Sequence, residues 1–106
     1  SYLIIGSDGA GNPLAIDTSN NFSVVRLDHE DGFNTISFVN SSITQLAESL
    51  LEVRGMIAQF NDSGDARNEN DEIPKERKSK LISKLKNIDS FAINKSTFWE
   101  PEIAML

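Results

Sequence analysis

The chain has 106 residues, of which 39% are hydrophobic and 25% charged, and it contains no cysteine. This composition predicts one small globular domain, residues 1–106, and excludes a disulfide framework, a thiolate metal site and a bilayer-spanning segment. The 16 acidic and 10 basic residues give a net charge of −6, which disfavours nucleic acid and favours a basic protein partner.

Two features of the sequence bear on the compartment of the protein and on the start of the chain. The lack of cysteine fits a reducing environment, and no secretory signal precedes the first strand-like residues, so we predict a cytoplasmic protein. The sequence opens on Ser1 with a strand already under way. We therefore expect that the domain is N-terminally incomplete.

The first forty residues predict β structure. Four short apolar runs, at residues 2–5, 14–16, 22–28 and 35–39, are separated by polar turns. The first run reads as a strand buried on both faces. In the third, Phe22, Val24 and Arg26 are expected on one face, with Val25 and Leu27 on the other. In the fourth, Ile36 and Phe38 are expected to share a face. Short strands joined by tight turns favour an antiparallel meander.

A change of period after residue 40 predicts helices. Apolar residues recur at helical spacing over 43–59, and Ser42 with Gln45 has the pattern of a capping box. The stripe of this helix comprises Ile43, Leu46, Ala47, Leu50, Val53, Ile57 and Phe60. A second helix is predicted after Pro74, with an apolar stripe at Leu81, Ile82, Leu85 and Ile88.

Charge is distributed unevenly between these two helices. Residues 61–72 hold five acids and one base, and the segment 61–73 is predicted to be a flexible acidic loop. Six of the ten basic residues follow within 75–86. They are interpreted as a solvated helix face, which could instead neutralise the acidic loop or contact an acidic partner. The apolar tail, residues 91–106, is expected to pack back with Phe98 and Trp99 in the core.

The stretch "IIGSDGAGNPLAID" contains three glycines and an Asp between two apolar runs. A phosphate-binding loop would need a helix directly after the glycines, whereas Pro13 and a strand-like run follow here. Calcium would need more oxygen ligands than Asp8 and Asn12 supply. A hairpin loop, with glycines at positive φ and polar side chains bonded to the backbone, is the favoured interpretation.

The cluster "DHED", Asp28 to Asp31, contains the only histidine of the chain. Consecutive residues at a strand end point in different directions, so few of these side chains could converge on one metal ion. His29 is therefore interpreted as a turn or partner-contact residue rather than as a metal ligand or general base. No motif for nucleophilic catalysis is present.

Taken together, "YLIIGSDGAGNPLAID", "VVRLDHED" and "ISFVNSSITQLAESLLEV" resemble the SUKH superfamily, which includes bacterial immunity proteins and a yeast regulator of cell-wall synthesis. The family features fall on Gly6, Asp8 and Gly11, on Asp17, on residues 28–30, and on residues 38–42. The closing "FWEPEI" is similar to the ends of some members. The likeness is strongest over residues 2–54. Members carry a helix and a strand before the position where this chain begins.

The resemblance implies an α+β fold in which helices pack on one side of an antiparallel sheet. It also implies a non-catalytic protein without a cofactor or metal, which binds and neutralises a bacterial toxin of the nuclease or deaminase type. A basic toxin is the expected partner, with no nucleic acid or membrane involved. The predicted partner-binding residues are Asp8, Asn12, Asp28, His29, Glu30 and Asp31.

Three other interpretations stay open from the sequence. The domain could be a general protein-interaction module of a larger regulatory protein. It could be a metal-dependent hydrolase that uses His29 and nearby carboxylates. It could also form homo-oligomers through an uncovered sheet edge.

Overall fold

The protein is described by a computed structural model that covers residues 1–94 and 98–106. Four strands, Tyr2–Ser7 (β1), Pro13–Asp17 (β2), Ser23–Leu27 (β3) and Ile36–Asn40 (β4), form one sheet. Their order in the sheet is β1-β2-β3-β4, and every pair is antiparallel. The predicted meander is therefore confirmed.

Four helices follow the sheet: Ile43–Ser63 (α1), Lys75–Ile88 (α2), Ser90–Asn94 (α3) and Trp99–Ala104 (α4). A short 3-10 turn, His29–Asp31, lies between β3 and β4. The predicted α+β class is confirmed. Within residues 1–94 and 98–106, no helix is both long and apolar enough to cross a membrane.

The two faces of the sheet have different surroundings. Val24 and Leu14 lie on the inner face, where the main core joins them to residues of the helices. Ala15, Val25 and Leu27 lie on the opposite, outer face and form a separate cluster that contains strand residues only. The alternation along β3 agrees with the prediction, and the helical layer belongs to the inner face.

The edge strand β1 departs from its predicted burial. All six of its residues are exposed, including Leu3 at 59% and Ile4 at 56%, although an apolar run of this kind is typical of a fully buried strand. The reason is position: β1 pairs only with β2, and the main core lies over β3 and β4. A bulge at Ile5 interrupts its register with β2.

Phe22 also lies elsewhere than predicted. It does not share the inner face with Val24, because β3 begins one residue later, at Ser23. Asn21 and Phe22 both have positive φ, and the Ser23 N–H donates to the Asn20 carbonyl, which closes a tight turn. The hydrogen-bonded turn places the ring in solvent, where it is 63% exposed.

Helix α1 begins where the sequence predicts and ends later. It runs to Ser63, and Gly64, with a φ of 72°, terminates it in a left-handed conformation. Its buried residues are Leu46, Ser49 and Phe60, whereas the stripe residues Ile43 and Leu50 are exposed. The predicted stripe was too wide because the helix contacts the core along one narrow row.

The capping box at the start of α1 is confirmed in part. The Gln45 N–H donates to the Ser42 hydroxyl at 3.2 Å, as predicted. The Gln45 side chain does not return to the Ser42 backbone, however. Its oxygen accepts from the Ser42 hydroxyl, and its Nε2 donates to the Ile88 carbonyl at 3.1 Å. The cap therefore also ties the start of α1 to the end of α2.

The predicted acidic loop 61–73 has different bounds. Residues 61–63 belong to α1, and Ile73 is 1% exposed, with its N–H donating to the Leu106 carbonyl at 3.0 Å. Arg77 of α2 pairs with Asp65, and both Arg67 and Arg77 lie against the ring of the buried Phe60. Basic side chains of α2 thus neutralise part of this loop. This was one of the two alternatives to a purely solvated face that the sequence left open for the basic residues of 75–86.

A buried polar cluster joins the sheet to the helices. Trp99 Nε1 donates to Asn40 Oδ1 at 3.1 Å, and Asn40 Nδ2 donates to Asp89 Oδ2 at 3.1 Å. Asp89 also accepts from the backbone N–H and the hydroxyl of Ser41. Trp99 packs edge-to-face on Phe98, so the predicted core role of both aromatic residues is confirmed. Residues 95–97 of the predicted tail lie outside the described residues.

We expect Leu85→Ala to lower the free energy of unfolding by about 2–5 kcal/mol, because Leu85 is fully buried against the inner face. Leu51→Ala on α1 is the matched control, since Leu51 is 66% exposed. Urea denaturation of both variants measures the difference. Equal losses would show that the helical layer is not packed as described.

Candidate partner-binding surface

The hairpin end of the sheet comprises the β1–β2 loop, residues 8–12, and the β3–β4 connection, residues 28–35. Asp8 organises the first segment. Its Oδ1 accepts from the N–H groups of Ala10 and Asn12, each at 2.9 Å, and its Oδ2 accepts from Asn12 Nδ2 at 2.9 Å. Gly11 adopts a φ of 87°, which a side chain would disfavour. The favoured interpretation as a hairpin loop is confirmed.

The second segment is organised by two further aspartates. Asp28 caps the 3-10 turn by accepting from the Glu30 N–H at 2.9 Å. Asp31 accepts from the N–H groups of Asn34 and Thr35 and from the Thr35 hydroxyl. Like Asp8, these carboxylates therefore fix the backbone of their own loop.

Asn12 connects the two segments. Its Oδ1 accepts from the His29 N–H at 3.0 Å and lies 2.6 Å from His29 Nδ1. Since Asn12 Nδ2 already donates to Asp8, Asn12 Oδ1 acts as the acceptor, and we assign the proton to His29 Nδ1. In the neutral ring, Nε2 is then an acceptor on an exposed side chain.

Arg26 supports this arrangement from the inner face. Its Nη1 lies 3.7 Å from Asp8 Oδ2, and its guanidinium lies 5.2 Å from the centroid of the Phe98 ring. Phe98 in turn contacts Trp99 of the buried polar cluster. The hairpin end is thereby coupled to the helical layer through one cation–π contact.

The six residues predicted from sequence all lie at this end, in two different roles. Asp8, Asn12 and His29 form one hydrogen-bonded chain, and Asp28 and Asp31 stabilise the neighbouring turn. His29 and Glu30 are exposed and available to a partner. Sequence reasoning assigned Arg26 only to a strand face. The sequence did contain a signal for the role of Arg26, since it is a lone arginine between apolar strand residues, near two acidic loops.

Two carboxyl groups here have lowered pKa values. Burial raises the pKa of Asp8, but hydrogen bonds from Asn12 and Ala10, with the nearby Arg26 charge, outweigh it and place the pKa below 3.8. The Thr35 hydroxyl is the main cause of the lowered pKa of Asp31. Within residues 1–94 and 98–106, no group of three His, Cys, Asp or Glu side chains could hold a metal ion.

We expect Asp8→Asn to reduce stability by about 1 kcal/mol at pH 7, because the carboxylate accepts three hydrogen bonds. A lowered folded-state pKa stabilises the protein fully above the unfolded-state pKa of about 3.9 and loses this effect as the pH falls through the folded-state pKa. The difference between wild type and Asp8→Asn should therefore shrink below about pH 4.

Urea unfolding at a series of pH values from about 7 down through the unfolded-state pKa of about 3.9 measures this difference. Asn12→Ala provides the control, since it removes one of the three donors to Asp8, the side-chain Nδ2, and keeps both backbone N–H donors. In the Asn12→Ala variant, Asp8→Asn should lower the free energy of unfolding by less than it does in the wild type. If the stability difference between wild type and Asp8→Asn changed neither with pH nor on replacement of Asn12, the stabilising role assigned to the Asp8 carboxylate would be wrong.

Comparison with known protein families gives a match that covers nearly the whole chain. The model of one family, described as SUKH-4 immunity protein, matches residues 1–104 and so includes both the hairpin end and the helical layer. No curated protein and no solved structure matches the chain. Because the family model covers nearly every residue, the chain belongs to the SUKH-4 immunity protein family.

Proposed function

We propose that this protein neutralises a cognate bacterial toxin by binding it directly, and that it does so without catalysis, cofactor or metal. The observation that carries this proposal is the family match over residues 1–104. The toxin we propose is a nuclease or nucleic-acid deaminase with a basic surface, met in the cytoplasm. Nucleic acid and membrane are not proposed as partners.

Charge supports a basic partner. An enzyme that acts on nucleic acid gains affinity from lysine and arginine near its substrate phosphates. This chain carries a net charge of −6, so the two proteins would attract each other at long range. Attraction of this kind raises the association rate and is weakened by salt.

The geometry of the hairpin end favours its use as part of the proposed interface. Its loops are held by hydrogen bonds that the side-chain oxygens of Asp8, Asn12, Asp28 and Asp31 accept, so little conformational entropy would be lost on binding. His29 and Glu30 project from this fixed backbone into solvent. We propose that these two residues contact the toxin and that the other four position them.

Capture tests the function. The immobilised chain is exposed to lysate of the organism that encodes it, at low and at moderate salt, and bound proteins are identified by mass spectrometry. We expect one basic protein in stoichiometric amount, which arrests growth when expressed alone and not when expressed with this chain. Only non-toxic proteins among those bound would favour a general interaction module instead.

Variants at the hairpin end test the interface. With the captured toxin, we expect Glu30→Gln to slow association a few-fold at low salt and His29→Ala to raise the Kd by about tenfold or more. Glu69→Gln, at an exposed position between α1 and α2, changes the net charge equally and serves as the control. Surface plasmon resonance separates the rates. Equal slowing of association by Glu30→Gln and Glu69→Gln would show that the net charge of the protein matters and that Glu30 itself does not contact the toxin.

A further inference from the structure

A second surface of the protein lies at the opposite end of the sheet from the hairpin end. A cavity of about 480 Å³ opens there, where the outer face meets the β2–β3 turn and the start of α3. We call it the outer-face pocket. It is lined by Asn20, Asn21, Ser23, Phe38, Ser41 and Phe91.

Ser23 gives this pocket an unusual polar feature. The residue is only 5% exposed, and its hydroxyl oxygen is buried without a hydrogen-bond partner in the described part of the chain. Buried polar atoms without partners are rare in folded proteins, because each has lost its water without a replacement. A ligand group that bonds to Ser23 Oγ would remove this deficit.

A buried carboxylate lies directly behind the pocket. Asp89 is 3% exposed, and no Lys or Arg among residues 1–94 and 98–106 forms an ion pair with it. The Ser41 hydroxyl donates to Asp89 Oδ1 at 2.8 Å, so Ser41 retains oxygen lone pairs to accept a further bond. Ser23 Oγ and Ser41 Oγ can therefore both accept a hydrogen bond from a ligand, and the Asp89 carboxylate lies behind Ser41.

The rest of the lining consists of the side chains of Asn20 and Asn21 and of two phenylalanines. Phe91 is 57% exposed although it belongs to a packed helix, and Phe38 lies on the outer face opposite Val25. Ring faces attract cations, and the attraction increases when water is displaced. Among residues 1–94 and 98–106, the pocket lining includes no basic residue.

We propose that the outer-face pocket receives the guanidinium group of an arginine side chain from the toxin. This proposal rests on the proposed function and assigns a specific contact to the interface. A guanidinium is flat enough to lie against the exposed ring of Phe91, and it donates several hydrogen bonds to acceptors such as Ser23 Oγ and Ser41 Oγ. A lysine ammonium is more strongly hydrated and does not stack, so it fits the pocket less well.

The full chain can be tested for this preference without any toxin. Nα-acetyl-arginine amide is titrated into the ¹⁵N-labelled protein, and amide shifts are followed by NMR. We expect saturable shifts at Ser23, Phe38 and Ser41, weaker binding of the corresponding lysine amide, and none of the neutral citrulline amide. Equal binding of lysine or citrulline, preferential binding of a tyrosine amide, or shifts elsewhere would overturn the proposal.

Two variants and one control locate the site. Ser23→Ala removes an unpaired hydroxyl and Phe91→Ala removes an exposed ring, so neither should impair folding, which circular dichroism checks. Each should weaken arginine amide binding by about threefold to tenfold. Phe33→Ala, an exposed phenylalanine at the hairpin end, should leave it unchanged. Wild-type affinity in both pocket variants would overturn the proposal.

The same variants separate this inference from the proposed function. If Ser23→Ala and Phe91→Ala weaken binding of both the arginine amide and the captured toxin, the inference is supported. If they weaken binding of the amide alone, the assignment to the toxin interface is wrong although toxin neutralisation stands. If the amide binds as expected and no toxin is neutralised, the function fails and the pocket chemistry remains.

Discussion

The hydrogen bond between Trp99 and Asn40 is the contact on which the arrangement of the layers depends. Both residues are almost fully buried, and the bond joins the last helix to the last strand across 59 positions of the chain. Asn40 also donates to Asp89, which lies between α2 and α3. A buried carboxylate needs such donors, so the sheet and three helical segments are held in one relative position.

This arrangement explains why the two ends of the sheet differ. At the hairpin end, charged side chains bond to their own loops, and the connection to the core passes through Arg26 and Phe98. At the other end, Asp89 is buried and has no basic partner within residues 1–94 and 98–106, and the Ser23 hydroxyl has no hydrogen-bond partner among those residues. Carboxylates at the hairpin end bond within their own loops, whereas at the other end Ser23 Oγ has no partner among the described residues. The proposed interface combines both kinds of surface.

Much of the fold can be predicted from the sequence because its signals are local. The alternation of Val24 and Val25, the Ser42 cap and the spacing of Leu81 and Leu85 each depend on neighbours within a few residues. The burial of β1 could not be predicted, since an apolar run reads the same in the centre of a sheet and at its edge. Knowing that β1 is an edge requires the full strand order.

The candidate site also combines features that the sequence predicts with features that depend on the fold. The aspartates of both loops are recognisable as turn residues, but the contact between Asn12 and His29 spans 17 positions and depends on strand register. Sequence cannot show that Ser23 lacks a partner either. That fact depends on the turn at Asn21 and Phe22, where two successive residues adopt positive φ.

The bulge in β1 has a consequence for the behaviour of the protein at high concentration. The proposed function requires at least one copy of the protein for each toxin molecule, and an exposed apolar strand at a sheet edge invites other copies to pair with it. The bulge at Ile5 shortens the regular stretch of that edge. A charge of −6 adds mutual repulsion between copies. Both features favour colloidal stability while leaving the apolar side chains of β1 accessible.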